Sequence, residues 1–174
     1  DIHDIARSCR TFAVQRYFVV HPIPALRSLA ERVVDHWQTG YGSRYNPSRR
    51  AAMELTEVTP DLDHAVAAIE QDCGALPRRI ATTARRRADA TTFGELRQRL
   101  DRSNQDSVVD PHLLILGTGF GLTEEFFAQC DAVLEPIPGL EDYNHLSVRA
   151  AAAILLDRLV GIRNDMQAER GESK

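Results

Sequence analysis

The chain has 174 residues, the size of one ordinary domain, and its composition of 43% hydrophobic and 26% charged residues is that of a globular protein rather than a disordered one. A formal net charge of −4 argues against a domain that binds nucleic acid through bulk positive charge. The charge is uneven, because residues 1–110 carry 16 basic and 15 acidic residues, whereas residues 111–174 carry 5 basic and 10 acidic ones.

Helical and strand patterns alternate along the chain. The pattern predicts helices over residues 1–12, 24–36, 62–69, 93–100, 123–130 and 146–160. It predicts strands over residues 17–20, 55–58, 79–83, 112–116 and 132–134, of which 17–20 and 112–116 read as buried. Residues 40–47 read as a loop. Because continuous apolar strands flanked by helices are typical of α/β folds, we expect a mostly parallel sheet with helices on both faces.

The cysteines indicate the compartment. Cys9, Cys73 and Cys130 are odd in number and far apart, which predicts free thiols in a cytoplasmic protein. No apolar run reaches the length of a membrane span, and no signal peptide opens the chain. The first residues are helical in pattern without a preceding Met, so we expect the chain to begin inside a larger reading frame. No metal site is predicted, since the six His are scattered.

The sharpest motif is a glycine-rich turn over residues 116–125, between a strand and a helix. Its glycines let the backbone turn tightly and approach a ligand, and we expect Thr123 to cap the helix that follows. A dinucleotide fingerprint has the spacing G-x-G-x-x-G and an acid about 20 residues further on. Here the spacing is G-x-G-x-G, and Glu135 lies 18 residues after Gly117. The match to a Rossmann-type enzyme is therefore partial.

Three further segments are rich in polar or basic residues and are candidate binding sites. In residues 135–149 a stiff Pro- and Gly-containing loop leads into an Ala-rich helix, where Asn144 and Ser147 either cap the helix or belong to a site. In residues 82–87 a strand ends in arginines that either bind phosphate or form a solvated turn. Residues 41–50 interleave aromatic and basic side chains, which is typical of single-stranded RNA sites and also of surface loops. The RNA-contacting candidates are Arg44, Tyr45, Arg49, Arg50, Arg85 and Arg86.

Taken together, residues 117–125, 134–139 and 142–159 resemble the carboxyl half of the SPOUT-class RNA methyltransferases. Within that class they are closest to a small bacterial group of S-adenosylmethionine-dependent RNA methyltransferases. Residues 1–11, 36–42 and 45–47 also look like that group, so the resemblance covers nearly the whole chain. It implies methyl transfer to a tRNA or rRNA nucleotide, and a homodimer with its site at the interface. It also implies a single domain over residues 1–163 that lacks its first strand and has a C-terminal trefoil knot, followed by a charged tail over 164–174.

The resemblance also implies the site residues. Three loops would hold S-adenosylmethionine, through Thr82, Thr83 and Ala84, through Leu116, Gly117, Thr118, Gly119 and Gly121, and through Ile137, Pro138, Gly139 and Leu146. Catalytic roles would fall to Arg7, Asn144, His145 and Ser147. Two departures put the methylated atom in doubt: Thr118 stands where ribose-methylating members have Glu, and His145 stands where they have Asn.

Two other functions remain open at this point. One is a nucleotide-dependent enzyme of Rossmann type, and the other is a non-catalytic module that binds RNA or a cofactor. Binding of S-adenosylmethionine and not of NAD would distinguish the methyltransferase from the Rossmann-type enzyme. A methylated product would distinguish it from the non-catalytic module.

Overall fold

The structure, a computed structural model, describes residues 1–40, 46–105, 109–141 and 143–162. Its first half contains α1 (Ile2–Thr11), β1 (Tyr17–Val20), α2 (Pro24–Gln38), α3 (Pro47–Met53), β2 (Thr56–Thr59) and α4 (Leu62–Cys73). Its second half contains β3 (Arg78–Thr82), α5 (Phe93–Gln105), β4 (His112–Ile115), α6 (Glu124–Phe127), β5 (Ala132–Leu134) and α7 (Val148–Val160). None of the described helices is long and apolar enough to cross a bilayer.

All strand pairs in the described chain are parallel, which confirms the predicted sheet type. β1 pairs with β2, and β3 lies between β4 and β5. Ala81 of β3 faces Ile115 of β4 on one side and Val133 of β5 on the other. The carboxyl ends of these three strands therefore meet at one edge, as parallel pairing requires.

The three-stranded sheet is covered on both faces. Its side chains alternate between the faces, as in any strand. Ile80 and Leu134 face α5 and α7, where they join a buried cluster with Leu96, Leu155 and Leu159. Ala81 and Val133 face the opposite way and pack against Phe127 of α6. This arrangement confirms the expected helices on both faces of the sheet.

Helix α1 connects the two halves of the fold. Ala6 packs with buried residues of α2 and α3, whereas Ile5 and Cys9 pack against Ala152 of α7. Ala152 is only 2% exposed. The small residues of the Ala-rich helix therefore allow close contact with α1.

Besides shifts in the bounds of helices and strands, with α4 and α5 extending to Cys73 and Gln105, the structure differs from the sequence prediction as follows. Pro47 is not part of a loop but begins α3, whose first turn is capped by the Asn46 side chain. The helix predicted over 123–130 ends at Phe127, and beyond Ala128 the amides of Gln129 and Cys130 bond three residues back instead of four. The strands predicted as buried are half-buried, and Val20 is exposed.

Candidate functional site

Three loops converge at the carboxyl edge of the three-stranded sheet. Residues 83–92 follow β3, residues 116–123 follow β4 and residues 135–147 follow β5. Ligands of open α/β sheets bind at this edge. The residues that the resemblance assigned to a cofactor lie in these segments, apart from Thr82, which is the last residue of β3.

The second loop, residues 116–123, folds tightly on itself. The Gly121 amide donates a hydrogen bond to the Thr118 carbonyl over 2.8 Å. A Cβ atom on Gly117 would lie 2.9 Å from the Gly121 carbonyl carbon and 3.0 Å from its Cα. Gly119 and Gly121 have φ values of 45° and 81°, which side chains disfavour. The backbone therefore requires each glycine of the motif: Gly119 and Gly121 because of their positive φ, and Gly117 because of its close approach to Gly121.

The first and third loops are joined by a side-chain hydrogen bond. Asn144 Nδ2 donates to the Ala84 carbonyl over 3.0 Å. At the base of the same loop, the Thr82 hydroxyl donates to the Ile115 carbonyl of β4, also over 3.0 Å. Asn144 is therefore a bridge between two pocket loops and not the helix cap that the sequence left open as an alternative.

The first loop is also held to α6, through Arg87. Nη1 of Arg87 donates to both carboxylate oxygens of Glu124, over 2.9 and 2.7 Å, and the guanidinium also binds Asp89. It lies over the Phe127 ring, 4.8 Å from the ring centroid. These hydrogen bonds raise the pKa of Arg87 and hold the pKa of Asp89 below its ordinary value. Two acids thus pair with Arg87, which joins the first loop to α6.

No pattern in the sequence indicated this role of Arg87. The RNA-contacting candidates from the same run, Arg85 and Arg86, are both exposed and form no ion pair with any described residue. Arg87 and Glu124 are 37 positions apart, so no local pattern could have joined them.

The third loop leads into α7. A Cβ atom on Gly139 would lie 2.9 Å from the Tyr143 carbonyl oxygen, so this loop also folds closely on itself. The His145 ring meets the Tyr143 ring edge-on, with 5.2 Å between centroids. Ser147 accepts a hydrogen bond from the Ala150 amide over 3.3 Å and caps α7. Ser147 is thus the helix cap that the sequence left open as an alternative. Because its oxygen accepts this hydrogen bond, the Ser147 hydroxyl proton remains available to a ligand.

Arg7 lies on the exposed side of α1. Its guanidinium makes no hydrogen bond or ion pair with the described residues. The first turn of α1 lies next to the start of α7, because Arg149 binds the Asp1 carboxylate over 3.0 Å. Helix α1 is therefore anchored where the third loop ends, while the Arg7 side chain faces solvent.

Glu135 has a structural role that disfavours the dinucleotide interpretation. Its Oε1 accepts a hydrogen bond of 2.6 Å from the Phe93 amide, at the start of α5. A Rossmann enzyme needs this carboxylate for the ribose hydroxyls. The one acid at the expected spacing is already occupied by the protein's own backbone.

The candidate RNA contacts in residues 44–50 divide into two groups. Arg44 and Tyr45 lie outside the described residues. Arg49 and Arg50 lie on α3, where the Arg49 guanidinium stacks over Trp37 at 4.5 Å and Arg50 pairs with Glu54 over 2.9 Å. Both arginines of the helix are thus positioned by a neighbour.

The three loops offer backbone groups and apolar side chains to a ligand. Among residues 1–40, 46–105, 109–141 and 143–162, no cluster of His, Cys, Asp or Glu could hold a metal ion. The Gly117 backbone packs against the Gly121 backbone, and Phe120, Leu140 and Leu146 are exposed on the second and third loops. Backbone groups and apolar side chains fit an adenosine-containing cofactor such as S-adenosylmethionine.

Comparisons with known proteins support the same conclusion. Residues 1–161 match the family described as SAM-dependent RNA methyltransferase. A tRNA (guanine-N(1)-)-methyltransferase of Oleidesulfovibrio alaskensis is 40% identical over 161 residues, which are 92% of this chain and 36% of that protein. An uncharacterized protein of Aquifex aeolicus is 36% identical over 91% of this chain and 75% of its own length. The chain therefore spans about a third of the first of these relatives.

Solved structures show the same fold. A probable methyltransferase from Bordetella pertussis Tohama I has a TM-score of 0.63 at 20% identity, covering 91% of this chain and 85% of its own. The SpoU methyltransferase AviRb from Streptomyces viridochromogenes was solved in complex with AdoMet. It has a TM-score of 0.56 at 17% identity, and the match covers 99% of this chain and 54% of its own. The resemblance found in the sequence is thus confirmed, and this chain belongs to the family of S-adenosylmethionine-dependent RNA methyltransferases.

Proposed function

We propose that the chain carries the catalytic site that methylates a nucleotide of RNA, with S-adenosylmethionine as the methyl donor. The observation that carries the proposal is the cradle at the carboxyl edge, where Gly117 approaches Gly121 too closely for any side chain. The family match supplies the chemical class. Between the predicted tRNA and rRNA substrates, we favour tRNA, because the relative from Oleidesulfovibrio alaskensis is named for it.

The cofactor residues proposed from the sequence divide by loop. The end of β3 and the first loop contribute Thr82, Thr83 and Ala84, and the second loop contributes Leu116, Gly117, Thr118, Gly119 and Gly121. The third loop contributes Ile137, Pro138, Gly139 and Leu146. Support comes from their location, since all of them lie at or after the carboxyl ends of three adjacent parallel strands.

The reaction depends on alignment. The sulfonium of the cofactor supplies an activated methyl group, whose bond to sulfur breaks as its bond to a nitrogen or oxygen of RNA forms. Asn144 is a positioning residue in this scheme, because it holds the first and third loops together. His145 and Ser147 lie on the same loop, and we assign to them the orientation of the nucleotide and the uptake of its proton. The Arg7 guanidinium has no partner in the described chain and is assigned to an RNA phosphate.

We further propose that the enzyme works as a homodimer in the cytoplasm. Phe120 and Leu140 on the second and third loops are fully exposed, and Tyr143 is 76% exposed. Large apolar side chains grouped in this way favour burial against a partner. Three free cysteines fit a reducing compartment. The single domain over 1–163, its trefoil knot and the charged tail over 164–174 stay predictions from the resemblance.

Two binding measurements and one product analysis test the function. Titration calorimetry should detect S-adenosylmethionine and give no signal with NAD. Incubation with tRNA and rRNA transcripts and labelled cofactor, followed by mass spectrometry of the nucleosides, should show one methylated nucleotide. Binding of NAD alone would restore the Rossmann alternative. Cofactor binding without any methylated product would identify a non-catalytic module.

A further inference from the structure

A groove opens at the edge of the sheet opposite to the three loops. Its cavity measures about 890 Å³ and is lined by both polar and apolar side chains. Arg78 and Arg79 begin β3 there, and Asp110 and Asp131 precede β4 and β5. Helix α5 contributes its exposed residues Arg99 and Arg102 to one wall. We call this surface the amino-edge groove.

Positive charge prevails in the amino-edge groove. Its lining contains four arginines and two aspartates, which leaves two net positive charges. Arg78 pairs with both carboxylates, with Asp110 over 3.2 Å and with Asp131 over 3.8 Å. Asp131 also accepts the Arg79 backbone amide over 2.8 Å. Both acids are thus already engaged with the start of β3.

The other arginines of the groove have no acidic partner. The guanidinium groups of Arg79, Arg99 and Arg102 form no ion pair with a carboxylate of the described residues, and Arg102 donates only to the Gln98 carbonyl over 3.2 Å. Glu95, one turn before Arg99, has its pKa lowered mainly by hydrogen bonds from Thr92, with a smaller contribution from the charge of Arg99. Unpaired guanidinium groups at the rim of an open groove can form bidentate bonds with phosphates.

The position of the groove favours a polymer over a small anion. Strand β3 runs from Arg78 to Thr82, and four residue steps of about 3.3 Å separate the two edges by roughly 13 Å. A folded RNA extends well beyond this distance, so one molecule can contact the groove while its target nucleotide lies at the loops. We propose that the amino-edge groove binds the phosphate backbone of the RNA substrate. This inference rests on the proposed function, because it takes RNA as the substrate.

The test removes the two helix arginines. Arg99→Gln combined with Arg102→Gln should weaken RNA binding roughly tenfold at low salt and make the plot of log K against log salt shallower by about 1.4 to 1.8. The matched control is Arg10→Gln combined with Arg32→Gln, which removes the same charge from exposed positions on α1 and α2. Fluorescence anisotropy with a labelled tRNA transcript gives both numbers, and KM for RNA should rise while kcat and the Kd for S-adenosylmethionine stay unchanged.

Three outcomes overturn the inference in distinguishable ways. If the Arg99/Arg102 variant binds RNA as the control does while methylation continues, the groove is not an RNA site and the proposed function stands. If loss of the two arginines instead dissociates an oligomer and leaves RNA affinity intact, the groove binds protein. If the unchanged protein binds S-adenosylmethionine but neither binds nor methylates any RNA, the proposed function fails together with the inference. Thermal melting of both variants excludes a loss of folding as the cause.

Discussion

Gly117 has a tight steric requirement in the second loop of the candidate site. A Cβ atom there meets backbone atoms of Gly121, which have no rotamer through which to move away. We expect Gly117→Ala to displace the second loop and to weaken S-adenosylmethionine binding at least about tenfold, the equivalent of roughly 1.4 kcal/mol. Titration calorimetry measures the change.

Gly94 provides the matched control for this substitution. It lies exposed on α5, and the nearest atom to a Cβ placed on it would be the Thr92 hydroxyl oxygen at 4.0 Å. Gly94→Ala should leave cofactor affinity unchanged and stabilise the helix by up to about 1 kcal/mol. Equal affinity of both variants for the cofactor would show that the second loop does not contact it.

The thiols should differ in reactivity. Burial raises the pKa of the Cys9 thiol to about 11, whereas Cys73 is exposed. At pH 8 a thiol with that pKa is ionised in about one molecule in a thousand, and only the thiolate reacts. Iodoacetamide followed by mass spectrometry should therefore label Cys73 first, and the Cys9 rate should rise about tenfold per pH unit toward pH 11. Equal labelling at pH 8 would mean that α1 does not stay packed on α7.

Ser147 caps α7 and is also a candidate catalytic residue, and two substitutions distinguish these roles. Its oxygen satisfies the Ala150 amide, so Ser147→Ala should destabilise the protein by about 1 kcal/mol. Ser147→Asp preserves a capping oxygen and should retain most of the stability. Thermal unfolding and methyl transfer are measured on both variants. If Ser147→Asp is as unstable as Ser147→Ala, the cap does not explain the residue. If Ser147→Asp is stable but inactive, the hydroxyl group itself is needed for the reaction.

Helices and strands with strong local signals were predictable from the sequence. The apolar runs of β1 and β5 gave the observed bounds, and the predicted cap Thr123 accepts the Phe126 amide as expected. Helix α3 was missed because its seven residues are too few to show a helical period. Its only local signals are the cap Asn46 and the proline in its first turn.

The site was predictable only in part, for a similar reason. The glycine-rich turn is local, and the structure bears out its tight backbone at Gly117. The bridge from Asn144 to Ala84 spans 60 positions, and the pairing of Arg87 with Glu124 spans 37. Such contacts depend on the order of the strands in the sheet, which one sequence does not specify. For the same reason, only the structure shows that Arg78 and Arg79 lie at the opposite end of β3 from Arg85 and Arg86.

For the whole molecule, the net charge of −4 conceals a spatial separation. All four arginines of the amino-edge groove precede residue 110, whereas the second and third loops belong to the acidic part of the chain. The overall charge therefore does not exclude RNA binding, because the surfaces proposed for RNA and for the cofactor lie at opposite ends of the same strands.

The proposed dimer makes a prediction at this scale. Leu140 is fully exposed on the third loop, and Leu76 is 61% exposed at the opposite edge of the sheet. If the loops form the interface, Leu140→Asp should shift the protein toward the monomer, because an unpaired charge is costly to bury. Leu76→Asp should not. Analytical ultracentrifugation over a range of concentrations measures both. A monomer at all concentrations for the unchanged protein would contradict the dimer.

Thr91 returns the first loop to the sheet and thereby limits its motion. Its amide donates to the Val133 carbonyl over 2.8 Å, and its carbonyl accepts the Glu135 amide over 2.9 Å. The end of the loop is thus hydrogen-bonded to the edge of β5, so the loop cannot open fully without unpairing that edge. Amide hydrogen exchange should show Thr91 and Glu135 protected to the same degree as β5, well above exposed loop amides. Fast exchange at both amides would mean that the first loop opens independently. The expected slow exchange would mean that this wall of the pocket is already formed before a ligand arrives, so binding there does not incur the entropy loss of ordering a flexible segment.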